Sequence, residues 1–236
     1  MRTLETAIKI IGEGKIRLVW NLLLKYCAVP FYTYHLKRNK YRYPKSLEFS
    51  WNSYKSIIKP AQKKQEIKTF LEFIRNKKPK VFLEIGTGKG GTLFLFCSVL
   101  PKNSRIISVD LRGESYGAGY PSFMRNLLKS YAQGSQVITL VEMDSHNEKT
   151  RDYIKTLLSG EVDFLFIDAD HTYEGVKRDY ELYSKLVKKG GYIAFHDIKA
   201  YEQSCGVYKF WDEIKEKKVI EIADKSNPYG IGVVVK

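Results

Sequence analysis

Val81-Phe82-Leu83-Glu84-Ile85-Gly86-Thr87-Gly88-Lys89-Gly90-Gly91 is the stretch that decides the fold of this 236-residue chain. Five mostly apolar residues run into a loop with glycine at 86, 88, 90 and 91, and a second apolar run begins at Leu93. The pattern predicts a buried strand, a tight turn and the start of a helix. Glycine suits the turn because the backbone there must take positive φ and let a ligand approach without a Cβ in the way. The helix start offers unpaired N–H groups to whatever sits above the turn.

Gly86, Gly88 and Gly91 satisfy the G-x-G-x-x-G fingerprint, and Asp110 lies about 20 residues on, where a ribose-binding acid is expected. The same glycines would also serve a strand-to-helix turn that binds nothing. Glu84 tilts the balance. A carboxylate two residues before Gly86 would repel a pyrophosphate, which disfavours an NAD-dependent oxidoreductase, but it suits a cationic or amine-bearing ligand. S-adenosylmethionine, with its sulfonium and α-amino group, meets that demand.

Working outward, the chain is long enough for one medium domain with a full core plus an appendage. Its net charge of +14 calls for an anionic partner: nucleic acid, lipid headgroups or a phosphorylated substrate. Residues 1–45 hold ten Lys/Arg against Glu5 and Glu13, so more than half of that excess sits there. Cys27, Cys97 and Cys205 lie far apart, with neither zinc spacing nor a disulfide framework, and a reducing cytoplasm is their natural setting.

Residues 1–59 read as a basic, aromatic-rich helical extension. Ile8, Ile11, Ile16, Val19, Leu22 and Leu23 point to one or two amphipathic helices. The segment from Leu18 to Tyr34 carries only Lys25 as a full charge, but Pro30 interrupts it and it is short for a membrane span. No cleavage-like small-residue site follows it. The extension would pack on the main domain or on a second subunit, giving a homo-oligomer. It could instead lie on the inner face of a membrane, with Trp20, Tyr26, Phe31, Tyr32 and Tyr34 among headgroups and Lys37 to Arg42 against anionic lipid. Nucleic-acid contact by the same mixture is less favoured.

From residue 60 to 236 strands and helices alternate. A helix marked by Ile67, Phe70, Leu71 and Ile74 precedes the strand at 81–85, and a helix over 91–100 follows it. Further strands are expected at 105–109, 137–142, 162–167 and 192–195, with two last ones near 219–223 and 231–235. Helices are expected near 122–132, 174–188 and 206–217, and a turn at Lys189-Gly190-Gly191. Residues 111–124, rich in Gly and Tyr, are too long for a minimal turn and lie where a lid would close over a cofactor. The expected architecture is α/β, a doubly wound, mostly parallel sheet. Glu84, Asp110, Asp144, Asp168 and His196-Asp197 then fall at the carboxyl ends of successive strands, the edge at which open α/β sheets bind ligands.

These segments together resemble a known family. Glu84 to Gly88, Asp110-Leu111, Gly117 to Tyr120, Asp144-Ser145, Ile167 to Val176, Gly190 to Ile198 and Gly206 to Trp211 look like class I S-adenosylmethionine-dependent methyltransferases. The nearest group is the one related to cephalosporin-hydroxylase-like and macrolide-sugar O-methyltransferases. The resemblance covers residues 60–236 and implies a seven-stranded Rossmann-like sheet whose last strand is antiparallel. It implies cofactor contacts from Glu84, Gly86, Thr87, Gly88, Gly90, Asp110, Leu111, Asp144, Ser145 and Asp168. Within that set Glu84 and Gly86 would hold the methionine end, Asp110 the ribose, and Asp144-Ser145 the adenine. In metal-dependent relatives acids at positions matching Asp168, His196 and Asp197 bind magnesium. Histidine at 196 departs from that pattern and shifts the preference towards zinc, iron or manganese.

Methyl transfer from a sulfonium needs an aligned nucleophile and a destination for its proton. Without a metal, His171 or His196 would be the general base, and Asp168 is the third candidate for a catalytic role. The favoured reading is an O-methyltransferase acting on a sugar hydroxyl of a glycan, glycolipid or related small molecule. An RNA or protein methyltransferase is the rival, although no N-P-P-Y-like segment follows the fourth strand. A membrane-docked binding module is the non-enzymatic one.

Overall fold

The computed structural model describes residues 16–53, 57–113, 119–200, 205–214, 218–223 and 229–236. Helix α1 (Ile16–Arg38) and the short α2 (Lys45–Trp51) precede α3 (Lys64–Lys77). Then follow β1 (Val81–Ile85), α4 (Gly91–Val99), β2 (Arg105–Asp110), α5 (Arg125–Ser130), β3 (Val137–Glu142) and α6 (Glu148–Leu157). The remainder is β4 (Val162–Ile167), α7 (Tyr173–Tyr183), β5 (Val187–His196), α8 (Val207–Ile214), β6 (Lys218–Ile222) and β7 (Ile231–Val235).

The strands form one seven-stranded sheet in the order β3-β2-β1-β4-β5-β7-β6. The first five strands of that order run parallel, and β7 is antiparallel to both β5 and β6. This is the expected topology. Strand order reverses at β1, whose neighbours are β2 and β4, so the crevice above β1 and β4 is where such a sheet accepts a ligand.

Side-chain alternation divides the core. Phe82 on β1 faces a layer with Phe70, Phe94, Phe96, Phe164 and Phe166, whereas Leu83 and Ile85 face one with Leu165, Ile167, Val176, Phe195 and Trp211. Burial on both faces explains why these strands read as almost unbroken apolar runs. Each fully buried Phe contributes about 2 kcal/mol. Glu84 therefore sits on an apolar face, and its burial calls for a reason.

Boundaries differ from the sequence reading at several points; the helix expected over 174–188 ends at Tyr183, and the helix Glu148–Leu157 was not expected. The turn at 189–191 lies within β5, because Gly190 (φ 75°) bends the strand without breaking it. Gly190 N donates to Lys236 O and Lys236 N to Gly191 O, both at 2.9 Å, which extends the pairing with the chain end. The helix expected over 122–132 is a 3-10 turn at Ser122–Met124 followed by the six residues of α5. Pro30 does not end α1, which continues through it.

The N-terminal helices are part of the core. Val29, Tyr32 and Leu36 of α1 and Leu47 of α2 join the phenylalanine layer. The segment after α1 is fastened by Arg42 Nη1 to Leu100 O (2.9 Å) and Gln133 Nε2 to Tyr41 O (2.7 Å). No helix among the described residues is long and apolar enough to cross a membrane. Of the aromatic residues proposed for a membrane contact, Phe31 and Tyr34 are exposed and Tyr32 is buried. The side chains of Trp20 and Tyr26 lie outside the described residues, as do residues 1–15.

Candidate active site

Two groups of side chains converge at the carboxyl edge of β1, β2, β4 and β5. The first is built on the glycine turn. Gly86 has φ 99°, and a Cβ there would run into the Asp168 carbonyl. The close approach is fixed by Gly86 N donating to Val109 O and Asp168 N to Ile85 O, each at 2.9 Å. Gly88 also has positive φ, with open space where its Cβ would stand. Asp110 ties down this turn: Oδ2 accepts from Gly88 N at 2.6 Å and Oδ1 from Leu111 N at 2.7 Å.

Glu84 is fully buried beneath the turn, in register with Ser108 on β2. Ser108 Oγ donates to Glu84 Oε2 in a short hydrogen bond and shares another, 2.6 Å long, with Thr87 Oγ1. The other carboxyl oxygen, Oε1, has no partner among the described residues. Burial pushes this carboxyl up to about 8, and the negative fields of Asp168 and Asp110 add to the shift against the Ser108 bond. A buried acid with an open acceptor is what a cationic amine would complete.

At the far end, Asp144-Ser145 lie in the loop after β3. Asp144 Oδ1 accepts from His146 N at 2.9 Å. Helix α7 holds the loop, through Tyr183 OH to Ser145 O (2.7 Å) and Arg178 Nε to His146 O (3.2 Å). Of the lid segment, residues 114–118 lie outside the described part. Its two ends meet, with Arg112 bridging to Tyr120 and Tyr120 buried.

The second group contains Asp168, His171, His196 and Asp197, all of them expected from the sequence. Asp170 Oδ1 accepts from Thr172 N, and Thr172 caps α7 by accepting from Gly175 N at 3.0 Å. This turn places His171 over the edge, half exposed, with Nε2 3.3 Å from Asp197 Oδ2 and 3.7 Å from Asp168 Oδ1. Asp197 has φ 61°, a left-handed conformation that costs a non-glycine residue about 1 kcal/mol. One ligand atom each from Asp168, His171 and Asp197 lies within 4.8 Å of the others.

His196 has a different setting from the one the sequence implied. It is buried, with Nδ1 3.0 Å from Asp197 Oδ1 and 3.4 Å from Asp168 Oδ1. Its Nε2 meets Glu66 Oε1 at 2.9 Å, and Glu66 Oε2 accepts from Gly230 N. The imidazole that completes the three-residue cluster is therefore His171, and His196 stands behind it as a partner of three carboxylates. Burial works against the charged form of His196, but Asp168, Asp197 and Glu66 outweigh it and hold the ring well above the usual imidazole range. Burial would likewise raise Asp168, yet the two imidazoles hold it at about 2. The bond to Asp168 raises His171 in turn.

Sequence reading missed Ser108, Gln62 and Glu66. Gln62 Nε2 donates to Asp168 Oδ2 at 2.6 Å, from a segment more than a hundred residues away. Glu66 carried a signal: it lies four residues before Phe70, on the apolar face of α3, where an unpaired acid would not be tolerated.

Comparison with known proteins agrees with this fold. Residues 83–198 match the model of a methyltransferase domain family. An uncharacterised protein, R132, of Acanthamoeba polyphaga mimivirus is 34% identical over 160 residues, which are 65% of this chain and 66% of that protein. The matched stretch is thus just under two thirds of that relative, and it is 15% of a Sinorhizobium fredii relative. Among solved structures, the O-methyltransferase TomG of Streptomyces achromogenes, in complex with S-adenosylmethionine, superposes with a TM-score of 0.59 at 14% identity, covering 83% of this chain and 91% of TomG. MycE methyltransferase of the mycinamycin pathway, in complex with magnesium and S-adenosylhomocysteine, gives 0.53 at 17% identity, covering 83% of this chain and 55% of MycE. Residues 83–198 are thus similar to methyltransferase domains, and the chain has the fold of the S-adenosylmethionine-dependent methyltransferases.

Proposed function

We propose that this protein is an O-methyltransferase whose acceptor is a hydroxyl of a sugar, in a glycan, glycolipid or related small molecule. The observation that carries the reading is the juxtaposition of a buried, open-valenced Glu84 with the Asp168–His171–Asp197 cluster on one sheet edge. Glu84, Gly86, Thr87, Gly88 and Gly90 would hold the methionine end of S-adenosylmethionine. Asp110 and Leu111 would take the ribose, and Asp144 and Ser145 the adenine. The cofactor supplies an electrophilic methyl on a sulfonium.

The acceptor hydroxyl has to lose a proton as its oxygen attacks in line. His171 is placed to receive it, since Asp168 and Asp197 stabilise the imidazolium that forms. His196, backed by Glu66, keeps the two aspartates in position. The donor set also fits a divalent cation, which Asp168, Asp197 and His171 would hold. Bound there, it would lower the pKa of a coordinated hydroxyl. The imidazole accords with manganese, iron or zinc as well as magnesium, the ion in the MycE complex.

Calorimetric titration with S-adenosylhomocysteine tests the reading, using Asp110→Ala and Asp197→Ala variants. The first substitution should weaken binding at least about tenfold. The second should spare binding and abolish methyl transfer. NAD binding in place of S-adenosylhomocysteine, or equal loss of binding in both variants, would overturn it.

A further inference from the structure

Residues 57–64 cross the site as a strap that the glycine motif does not account for. Ile57 and Ile58 are buried and anchor it at one end. Lys59 and Pro60 press their backbone on the start of α4, where a Cβ on Gly91 would come within 2.6 Å of both. The strap thus passes beside the cofactor turn and then reaches Asp168 through Gln62. It ends at Lys63, the N-cap of α3, which contributes no side-chain cap to that 14-residue helix.

Two features of the strap lack a structural purpose. Gln62 is 5% exposed, and while its amide nitrogen serves Asp168, its Oε1 has no partner among the described residues. The geometry of one amide puts that acceptor within about 5 Å of the Asp168 carboxylate, open to a donor at the edge that carries Asp168. Lys63 is exposed, and its ammonium lies 5.8 Å from the centre of the Tyr229 ring, which itself stacks on His196 with centroids 6.2 Å apart. Lys59 and Lys64 carry two more ammonium groups, each 5.9 Å from the Trp51 ring. Among the described residues no carboxylate pairs with these lysines. Glu66 is occupied by His196 and Gly230, and Asp168 by Gln62 and the histidines.

We infer that the strap is the acceptor-recognition element and that the acceptor is a phosphate-bearing polyhydroxy compound. Gln62 Oε1 accepts from a hydroxyl beside the reacting one. Lys63, held beside Tyr229, takes the phosphate with the uncapped start of α3. The inference rests on the methyltransferase reading, and it explains a local excess of positive charge beside a cluster of acids. It requires the phosphate to lie on the Lys63 side, away from Asp168 and Asp197.

The test uses the full chain saturated with S-adenosylhomocysteine and titrated with glucose 1-phosphate, glucose and inorganic pyrophosphate. Glucose 1-phosphate should bind at least about tenfold tighter than glucose, and pyrophosphate should compete with it. Lys63→Glu should erase the phosphate advantage, whereas Lys77→Glu, whose lysine lies over Phe73 and Tyr192, should keep it. Gln62→Leu should weaken the sugar phosphate while leaving pyrophosphate unchanged. No phosphate-dependent binding with either probe, or an advantage that survives Lys63→Glu, overturns the inference. Failure of S-adenosylhomocysteine itself to bind would instead strike at the methyltransferase reading beneath it.

Discussion

Replacing Glu84 with glutamine should make the cofactor-free protein more stable and a poorer binder of its cofactor. The carboxyl is fully buried and titrates at about 8, against 4.5 when unperturbed. An acid whose folded pKa is raised favours the folded state only while protonated. Its penalty is absent below pH 4.5, grows as pH rises and levels off above about 8. Between those limits the slope approaches 1.4 kcal/mol per pH unit, which accumulates to about 3 kcal/mol at pH 7 and about 5 at the plateau. Relaxation around the charge reduces these figures, so they are upper values. Glutamine keeps the shape and can accept from Ser108, but carries no ionisation penalty. Chemical denaturation at pH 4, 5.5, 7 and 8.5 should therefore show the variant and parent diverging with pH in the variant's favour. S-adenosylhomocysteine affinity should fall at least about tenfold, because an amide cannot pair with the α-ammonium group. The parent should also release a proton on binding below pH 8, visible as a dependence of binding heat on buffer ionisation enthalpy. A stability difference independent of pH, or a variant less stable throughout, would refute the argument.

Two further substitutions separate the turn from the acid cluster. Gly86→Ala combines positive φ with a backbone collision at Asp168, and should cost about 3 kcal/mol in denaturation experiments; a loss below about 1 would mean that the turn is not constrained as described. His171→Ala, at a half-exposed position, should cost less than about 1 kcal/mol yet weaken manganese binding, followed by electron paramagnetic resonance, more than about tenfold. His196→Gln should do the reverse to stability, costing about 3 kcal/mol through the stranded Glu66 charge. Interchanged effects would return His196 to the role that sequence position implied for it.

What the sequence made legible follows a physical division. The sheet could be read because its strands are buried on both faces, and the glycine turn because positive φ leaves few residue choices. That Glu84, Asp110, Asp144, Asp168 and Asp197 share one edge followed from the strands alone. The roles of the two histidines could not be read in this way. His196 and Asp197 are adjacent in sequence, but Asp197 turns into the left-handed region while His196 remains on β5 and points back to Glu66, 130 residues earlier. Only the fold brings α3 under β5. Gln62 was hidden for the same reason, since nothing local in Lys59-Pro60-Ala61-Gln62-Lys63 marks it as a ligand of Asp168.

The sheet edge also sorts its acids by charge. Asp168 is held at about 2 by two imidazoles, while Glu84, whose carboxyl is buried with a serine hydroxyl for company, sits near 8. Burial raises Asp110 too, and the amides of Gly88 and Leu111 pull it back. At neutral pH Asp168 is therefore ionised between its two imidazoles, while Glu84 waits largely protonated for a cation. Such a pair of opposed environments is what assigns separate tasks to chemically similar groups. It follows that the two halves should respond to different perturbations: Glu84 to pH and cofactor, the Asp168 cluster to metal and to loss of either imidazole. A single substitution that moved both responses together would show the edge acting as one coupled site.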